Sequence, residues 1–444
     1  MKYIPLLFLL LISRSGICQV PEYSVTIYDS AQTTGYYFLT DGTNLLILGR
    51  YGDAIYYKPV RAGFNFTLQK NGLMSYVDLK QCYVMDSSFT IRDTMVCQNG
   101  FKNDTRDAQL LPGGHALVLG DEWALMSSEG LPQVQKKTNR VELRVRCSVF
   151  QELDAQKKVL FEWHAKDHLS MKEVDDFYLD SNRVISLPQI SSIEKDPEGN
   201  YLLACKWTNE VIKVSGINGS VLWRLGGRAN QFQFIDCPVP FYGPRDARRL
   251  SNGNITFFEG GENYQSHGAR AMEFELDEQN KTATLVWSYT YDSTITSNGR
   301  GNVQRLANGN TVIGYCYNSK GNLGFVVVNP EGEKIMEVHG LRSFRSFNYP
   351  SLPWQLQRPV ISCYDSEGKK YLRTKKSYGS YLWSDGSNTA VRKVTEPGTY
   401  SVFVADSKGG YLRSENFYVP DIRKPCGSPP SDIVVPQKTK QEAK

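Results

Sequence analysis

The chain has 444 residues, is 41% hydrophobic and 12% aromatic, and carries a formal net charge of +5. That length and apolar fraction support a large folded core and exclude a fibrous or wholly disordered chain. So mild a charge, without Lys/Arg clusters interleaved with aromatics, offers no nucleic-acid surface, and past the N-terminus no stretch reaches the ~20 apolar residues of a transmembrane helix.

Residues 1–18 read as a secretory signal peptide: Lys2, an apolar run over 4–12, then small residues near Gly16. The protein is therefore expected to be secreted or periplasmic, with attachment at the cell surface left open. Ile17 stands before Cys18 where a lipoprotein signal would carry a small residue, which disfavours lipidation. Cleavage leaves Cys82, Cys97, Cys147, Cys205, Cys237, Cys316, Cys363 and Cys426. An oxidising compartment permits disulfides, and Cys82 and Cys97 flank one expected hairpin; the other pairings stay open. No Cys or Cys/His spacing is that of a zinc site, so neither a metal nor a cofactor is expected.

Short strands are predicted over 36–39, 44–48 and 54–57, broken by Asp41-Gly42 and Tyr51-Gly52-Asp53. From there one unit recurs, strand, tight turn, strand: FNFTLQKNGLMSY from Phe64, RDAQLLPGGHALVLG from Arg106, QISSIEKDPEGNYLLAC from Gln189, RDARRLSNGN from Arg245 and GNVQRLANGNTVIGY from Gly301. The turn glycines Gly72, Gly114, Gly199, Gly253 and Gly309 are 42, 85, 54 and 56 residues apart, the spacing of structural repeats with insertions. Asn-Gly and its equivalents predict two-residue hairpin turns with positive φ. A second hairpin follows each copy, over 83–96, 149–163, 211–225, 272–289 and 325–338.

Two hairpins make four antiparallel strands, and six such units between 36 and 338 predict an all-β fold, a six-bladed β-propeller. A β-sandwich would show short strands but not paired hairpins. Trp163, Trp223 and Trp287 at the hairpin ends are read as blade-to-blade packing, and helix is limited to a short turn over 171–178. After Arg358-Pro359 the pattern changes to short strands without the double hairpin; YLWSDG from Tyr381 and GTYSV from Gly398 resemble small immunoglobulin-like or PKD-like modules. The expected domains are a signal peptide 1–18, a propeller 19–357, a small immunoglobulin-like β-sandwich 358–420 and a Pro- and Lys-rich disordered tail 421–444.

The segments WTNEVIKVSGINGSVLWRLGG from Trp207, DARRLSNGNITFFEGG from Asp246, ARAMEFELDEQNKTATLVWSY from Ala269, GNVQRLANGNTVIG from Gly301 and FRSFNYP from Phe344 follow one another in order. Through them the chain over 36–353 resembles the bacterial arylsulfotransferase family, secreted propellers that move a sulfuryl group from one phenol to another without a nucleotide donor. The resemblance implies histidines opening HDxxLLPNGN, HxNSI and QHDxRRLPNGN motifs and an Arg-His pair after the intervening strand, the histidine of the last motif being the nucleophile. The matching positions here are Arg106, Gln189, Arg245 and Lys206-Trp207. A sulfuryl acceptor needs a lone pair, which neutral imidazole has and guanidinium lacks. Loss of the transfer chemistry is therefore expected.

A ligand site is still expected. Arg106 and Arg245 each stand eight positions before their turn glycine, Gln189 ten before Gly199, and Lys206 seven after it. All fall at the open end of an inner hairpin, so Arg106, Lys206 and Arg245 are expected to form a cationic funnel in the channel, with Gln189 and Trp207 beside them. The alternative pairs Arg106 and Arg245 with the adjacent Asp107 and Asp246; Arg248 and Arg249 either join the funnel or point outward. The expected ligand is an anionic or aryl-sulfate-like small molecule, or a sulfated glycan. Two other readings remain: an active sulfotransferase with His267, before Ala269-Arg270-Ala271, as a restored base, and a surface interaction scaffold using the loop 231–242. His164 and His168 read as structural, and Asp175, Asp176 and Asp180 as a solvated turn before a cation site.

Overall fold

The computed structural model describes residues 21–426 except 80, 133, 135–140, 180–183, 262–266, 298–299 and 317–322. The expected signal peptide, Asp180 and the expected tail beyond residue 426 lie outside the described residues.

Each inner hairpin is set by a glycine in the left-handed region, with φ of 84° at Gly72, 87° at Gly199, 90° at Gly253 and 88° at Gly309. The loops are one residue longer than the two-residue turns predicted. Leu250 N donates to Asn254 O (2.8 Å) and Gly253 N to Leu250 O (3.0 Å), and Gln69/Leu73, Asp196/Asn200 and Leu306/Asn310 close their hairpins the same way. This is a type I turn followed by a left-handed glycine, in which only the glycine takes positive φ. At the remaining copy, Pro112–Gly114 forms a 3-10 turn.

The residues 21–356 form one compact unit whose described strands make six sheets, antiparallel apart from two short parallel pairings, of Ser186–Leu187 in the third and Gln233–Ile235 in the fifth. The first contains Tyr36–Thr40, Asn44–Leu48 and Ala54–Pro59, and the second Gly63–Leu68, Met74–Asp78, Gln81–Met85 and Ile91–Met95. The third holds Lys102–Leu110, Ala116–Ser127, Glu142–Leu153 and Val159–His164. The fourth runs Ile190–Lys195, Tyr201–Cys205, Glu210–Val214 and Val221–Gly226. In the fifth are Arg245–Arg249, Ile255–Glu259, Arg270–Asp277 and Thr282–Thr290, and in the sixth Asn302–Arg305, Thr311–Gly314, Leu323–Val328 and Lys334–His339.

The inner strands neighbour one another in a closed cycle, which is the propeller arrangement. Two strands complete it, one inside the FRSFNYP segment that the family resemblance singles out and one, near the N-terminus, that sequence reading does not find. Phe347–Tyr349 pairs with Tyr36–Thr40 as the innermost strand of the first sheet, and Ser24–Ile27 adds an outer strand to the sixth. Side chains seat the inner closing strand. Asn302 exchanges hydrogen bonds with the Ser346 backbone (2.8 Å each way), and Gln304 does so with Asn348 (2.8 and 2.7 Å).

The hairpin-end tryptophans join sheets. Trp163 Nε1 donates 3.0 Å to Gly219 O in the fourth sheet, and Arg305 of the sixth sheet stacks 3.8 Å over Trp287. Cys82 and Cys97 are free thiols, against the hairpin expectation. Cys82 sits opposite Met95 in register, while Cys97 lies past the strand end with its thiol on Leu119 O (3.1 Å).

The second unit begins at residue 357. Ile361–Ser366, Lys369–Thr374 and Val391–Val394 form one sheet, and Tyr381–Trp383, Val402–Ala405 and Tyr411–Arg413 pair antiparallel. Leu372, Trp383, Val402 and Val404 are buried in its core. A disulfide joins Cys363 to Cys426, so the chain stays tied to this unit past residue 420, where the tail was expected to begin.

Candidate functional site at the channel

Four inner strands break register at equivalent places. Pairing skips between Phe64 and Thr67, across Thr105, Arg106 and Asp107 of the third sheet, between Ile190 and Ser192, and between Arg245 and Arg248. A bulge inserts an unpaired residue and re-aims its side chain. Here the bulges supply Asn65, Asp107, Ser191 and Asp246, with Asn65 and Asp246 at φ of 56° and 52°.

Arg345, just before the inner closing strand, meets all four. Its Nη1 donates to Asp107 Oδ1 (2.8 Å) and Asn65 Oδ1 (3.1 Å), Nη2 donates to Ser191 O (2.9 Å), and Nε lies 3.3 Å from Asp246 Oδ1. Arg248 turns inward too: Nη2 lies 2.8 Å from Asp107 Oδ2 and 2.7 Å from Asp246 Oδ1, and Nη1 donates to Ile193 O (2.8 Å). Burial alone would push the Asp107 carboxyl up, but Arg248 and Arg345 hold it at about 2. The two aspartates thus engage Arg248 and Arg345 and not their sequence neighbours Arg106 and Arg245. Two cations and two anions make a neutral plug across the channel.

At the strand-start mouth, Arg245 is buried beside Gly260, where an added Cβ would stand 1.9 Å from Nη1. Only glycine lets the guanidinium lie there. Ser297 N donates to Gly260 O (2.8 Å), and the Ser297 hydroxyl lies 2.7 Å from both Arg300 O and Cys316 O. Lys206 N donates to Gln189 O (3.1 Å) and Trp207 N to Pro188 O (2.9 Å). Lys206 Nζ lies 5.8 Å over the Tyr178 ring, and Trp207 stacks on the same ring at 4.8 Å. Tyr178, Gly243 and Arg245 wall a cavity of about 10 Å³, room for roughly one water.

Gln189, Lys206, Trp207 and Arg245 therefore come together at one mouth. Arg106 does not line that cavity and is ion-paired to Asp104. The bulge gives Asp107 the inward position, leaving Arg106 beside a partly buried group in which burial and Asp104 push the Asp121 carboxyl up to about 6.

Two arginines missed by sequence reasoning stand at this mouth instead. Ser297, whose hydroxyl meets Arg300 O and whose N–H meets Gly260 O, brings the Arg300 backbone close to the Gly260 on which Arg245 lies, and the guanidiniums of Arg300, Arg245 and Arg342 all oppose the burial that pushes the Cys316 thiol up to about 11. Arg300 stacks 4.6 Å over Phe64 and 5.2 Å over Phe344. Arg300 and Arg342 lie in irregular loops outside the repeated unit, so no spacing marks them; the cation-bearing loop before GNVQRLANGN is the one available signal.

His267 Nδ1 is 4.0 Å from Glu259 Oε1. Glu259 is fully buried and paired with Arg270 (2.6 and 2.8 Å), and burial still pushes its carboxyl up to about 7. Burial, then Arg270, lowers the His267 pKa, so its imidazole is neutral near pH 7. The other flagged groups have structural partners. Asp175 accepts from Phe177 N (2.9 Å) and Asn209 Nδ2 (2.8 Å), Asp176 pairs with Arg228 (2.7 Å), His164 lies between Glu122 and Glu162, and His168 stacks on Trp163 at 5.0 Å. Among the described residues no group of three His, Cys, Asp or Glu side chains is placed to hold a metal ion.

Residues 129–336 match the family described as arylsulfotransferase (ASST). Over that stretch the chain is similar to the family, and its propeller is arylsulfotransferase-like. The match spans Gln189, Lys206, Trp207, Arg245 and His267 and begins after Arg106. No relative among curated proteins matches. Among solved structures, the arylsulfotransferase-like chain is similar to a protein of unknown function from Bacteroides caccae, at 15% identity and a TM-score of 0.45 over 70% of this chain and 98% of that one. It is also similar to a streptogramin B lyase, at 11% identity and TM-score 0.34 over 88% and 97%. A virginiamycin B lyase from Staphylococcus aureus matches at 10% identity and TM-score 0.32 over 88% and 99%.

Proposed function

We propose that this arylsulfotransferase-like propeller acts outside the cytoplasm, binding a sulfated aryl ligand, or a related anion, at the strand-start mouth of its channel without transferring the sulfuryl group. The observation that carries the reading is the gathering of Lys206, Arg245 and Arg300 from different elements at one mouth with the rings of Tyr178, Phe64 and Phe344. Guanidinium presents a planar fork to sulfate oxygens, and charge-assisted hydrogen bonds are about twice as strong as neutral ones. The cavity behind Arg245, about 10 Å³, has no room for an aryl ring. The ligand therefore sits at the rim, oxygens on the cations and ring outward.

The absence of transfer follows from side-chain chemistry. Where the family resemblance calls for histidines, this chain has Arg106, Gln189, Trp207 and Arg245. A guanidinium and an indole cannot accept a sulfuryl group, and the Gln amide is a hydrogen-bonding group without acid–base function near pH 7. A second reading has one observation in its favour: His267 is neutral and 4.0 Å from Glu259, as a base in a rearranged transfer site would be. Incubation with 4-nitrophenyl sulfate and phenol decides between them. The expected outcome is no nitrophenol above the protein-free rate, with the intact sulfate ester showing line broadening by NMR. Multiple turnover abolished by His267→Ala would replace the first reading with the second.

A further inference from the structure

The larger space in the channel lies at its opposite, turn-side mouth, where a cavity of about 700 Å³ opens between the ends of the inner strands. Its walls are mainly apolar, built by Leu68, Leu110, Leu111, Pro112, Leu250 and Phe347. Small organic ligands occupy pockets of roughly 300–1,000 Å³ of this character, oriented by a few polar groups. Its floor is the neutral plug of Asp107, Arg248 and Arg345, which separates it from the strand-start mouth.

Most charges in the wall are already matched. Lys195 pairs with Glu152 (2.6 Å), Arg249 with Glu278 (2.6 Å) and Asp196 with Lys213 (3.5 Å). Glu194 is different. Its carboxylate accepts one hydrogen bond, from Arg249 N (2.7 Å), and has no ion-pair partner among the described residues. Burial pushes its pKa up, with the positive charges of Arg248 and Lys70 opposing. A carboxylate has about four acceptor sites, so Glu194 retains acceptor capacity in a largely apolar wall.

We infer that the turn-side cavity is a second binding site, for a small amphipathic molecule whose apolar body packs on Leu68, Leu110, Leu250 and Phe347 while its hydroxyl or amine donates to Glu194. Lys70 also lines the wall, so selection rests on the ligand's polar end meeting the Glu194 carboxylate, which favours a donor there over an anion. The inference does not depend on the anion-binding reading.

The test uses the full chain and three probes sharing one apolar body: 2-phenylethanol, phenethylamine and phenylacetate, followed by saturation-transfer NMR. The alcohol, the amine or both should bind, and phenylacetate should give no signal that Leu110→Trp or Leu250→Trp reduces; the alcohol and amine arms separate a neutral from a cationic donor. Leu110→Trp and Leu250→Trp each intrude on the apolar wall against which the ligand's body packs and should weaken the signal. Glu194→Gln should weaken the donor ligands roughly tenfold, the usual worth of one hydrogen bond to a charged group. Arg245→Ala, at the other mouth, should leave the signal unchanged. Three results would overturn the inference: no signal from either donor probe, donor binding unchanged by both tryptophan substitutions in folded protein, or phenylacetate binding that those substitutions reduce as they do the donors.

Discussion

Removing Arg345 would leave Asp107 and Asp246 buried with one guanidinium between them in place of two. Breaking a buried ion pair costs about 3–5 kcal/mol because the surviving charge stays desolvated, so Arg345→Met should lower the unfolding free energy by about that much in urea titration; a loss below about 1 kcal/mol would show the plug to be dispensable. Asp107 also gives the plug a pH signature. Its carboxyl is held at about 2, below the ordinary 3.8. A depressed carboxylate stabilises the fold fully above its unfolded pKa, and the contribution fades as pH falls from about 4 toward 2. Glu259 has the opposite sign, raised from 4.5 to about 7. The folded state holds its proton longer, so stability should decline as pH rises from about 4.5 to 7, and Glu259→Gln should flatten that part of the profile. An unchanged slope in the variant would reassign the proton. The same residues mark what the sequence discloses at this scale. Arg245, Lys206, Gln189 and Trp207 were legible because their distance from a turn glycine fixes the strand end they occupy. Arg106 shares that spacing with Arg245, yet the bulge beside it hands the inward position to Asp107, and no residue spacing announces a bulge.

At the scale of elements, the paired hairpins are plain in the sequence because alternating apolar segments flank a glycine that takes positive φ. The loop type is not plain, since Asn-Gly suits both a two-residue turn and a type I turn with a following left-handed glycine; strand register decides, and register is a tertiary property. The closing strands are less legible still. Ser24–Ile27 and Phe347–Tyr349 are four and three residues long, and Tyr349 pairs with Tyr36 across almost the whole propeller. Local pattern cannot reveal a partner so distant. Asn302 holds this closure by satisfying both the N–H and the C=O of Ser346 (2.8 Å each). Asn302→Ala would strand two buried backbone groups at about 1–3 kcal/mol each. A destabilisation of about 2–6 kcal/mol is expected from chemical denaturation, and one below about 0.5 kcal/mol would mean water replaces the side chain without cost.

For the molecule as a whole, repetition made the all-β propeller readable, whereas the assignment of its channel depended on contacts between residues far apart in the chain. The channel is divided: a mouth rich in guanidinium groups on one side of a neutral plug, an apolar cavity with a carboxylate on the other. The proposed anion-binding role rests on the first. Calorimetric titration of the full chain with 4-nitrophenyl sulfate tests it most directly, run at 0.1 M and 1 M salt, where the screening length falls from ~10 Å to ~3 Å. The account predicts saturable binding that weakens at the higher salt, falls roughly ten- to a hundredfold in Arg245→Ala and Arg300→Ala through loss of a charged hydrogen bond, and is absent for 4-nitrophenol. Binding of 4-nitrophenol with equal affinity, or affinity for the sulfate ester unchanged in both arginine variants, would contradict it.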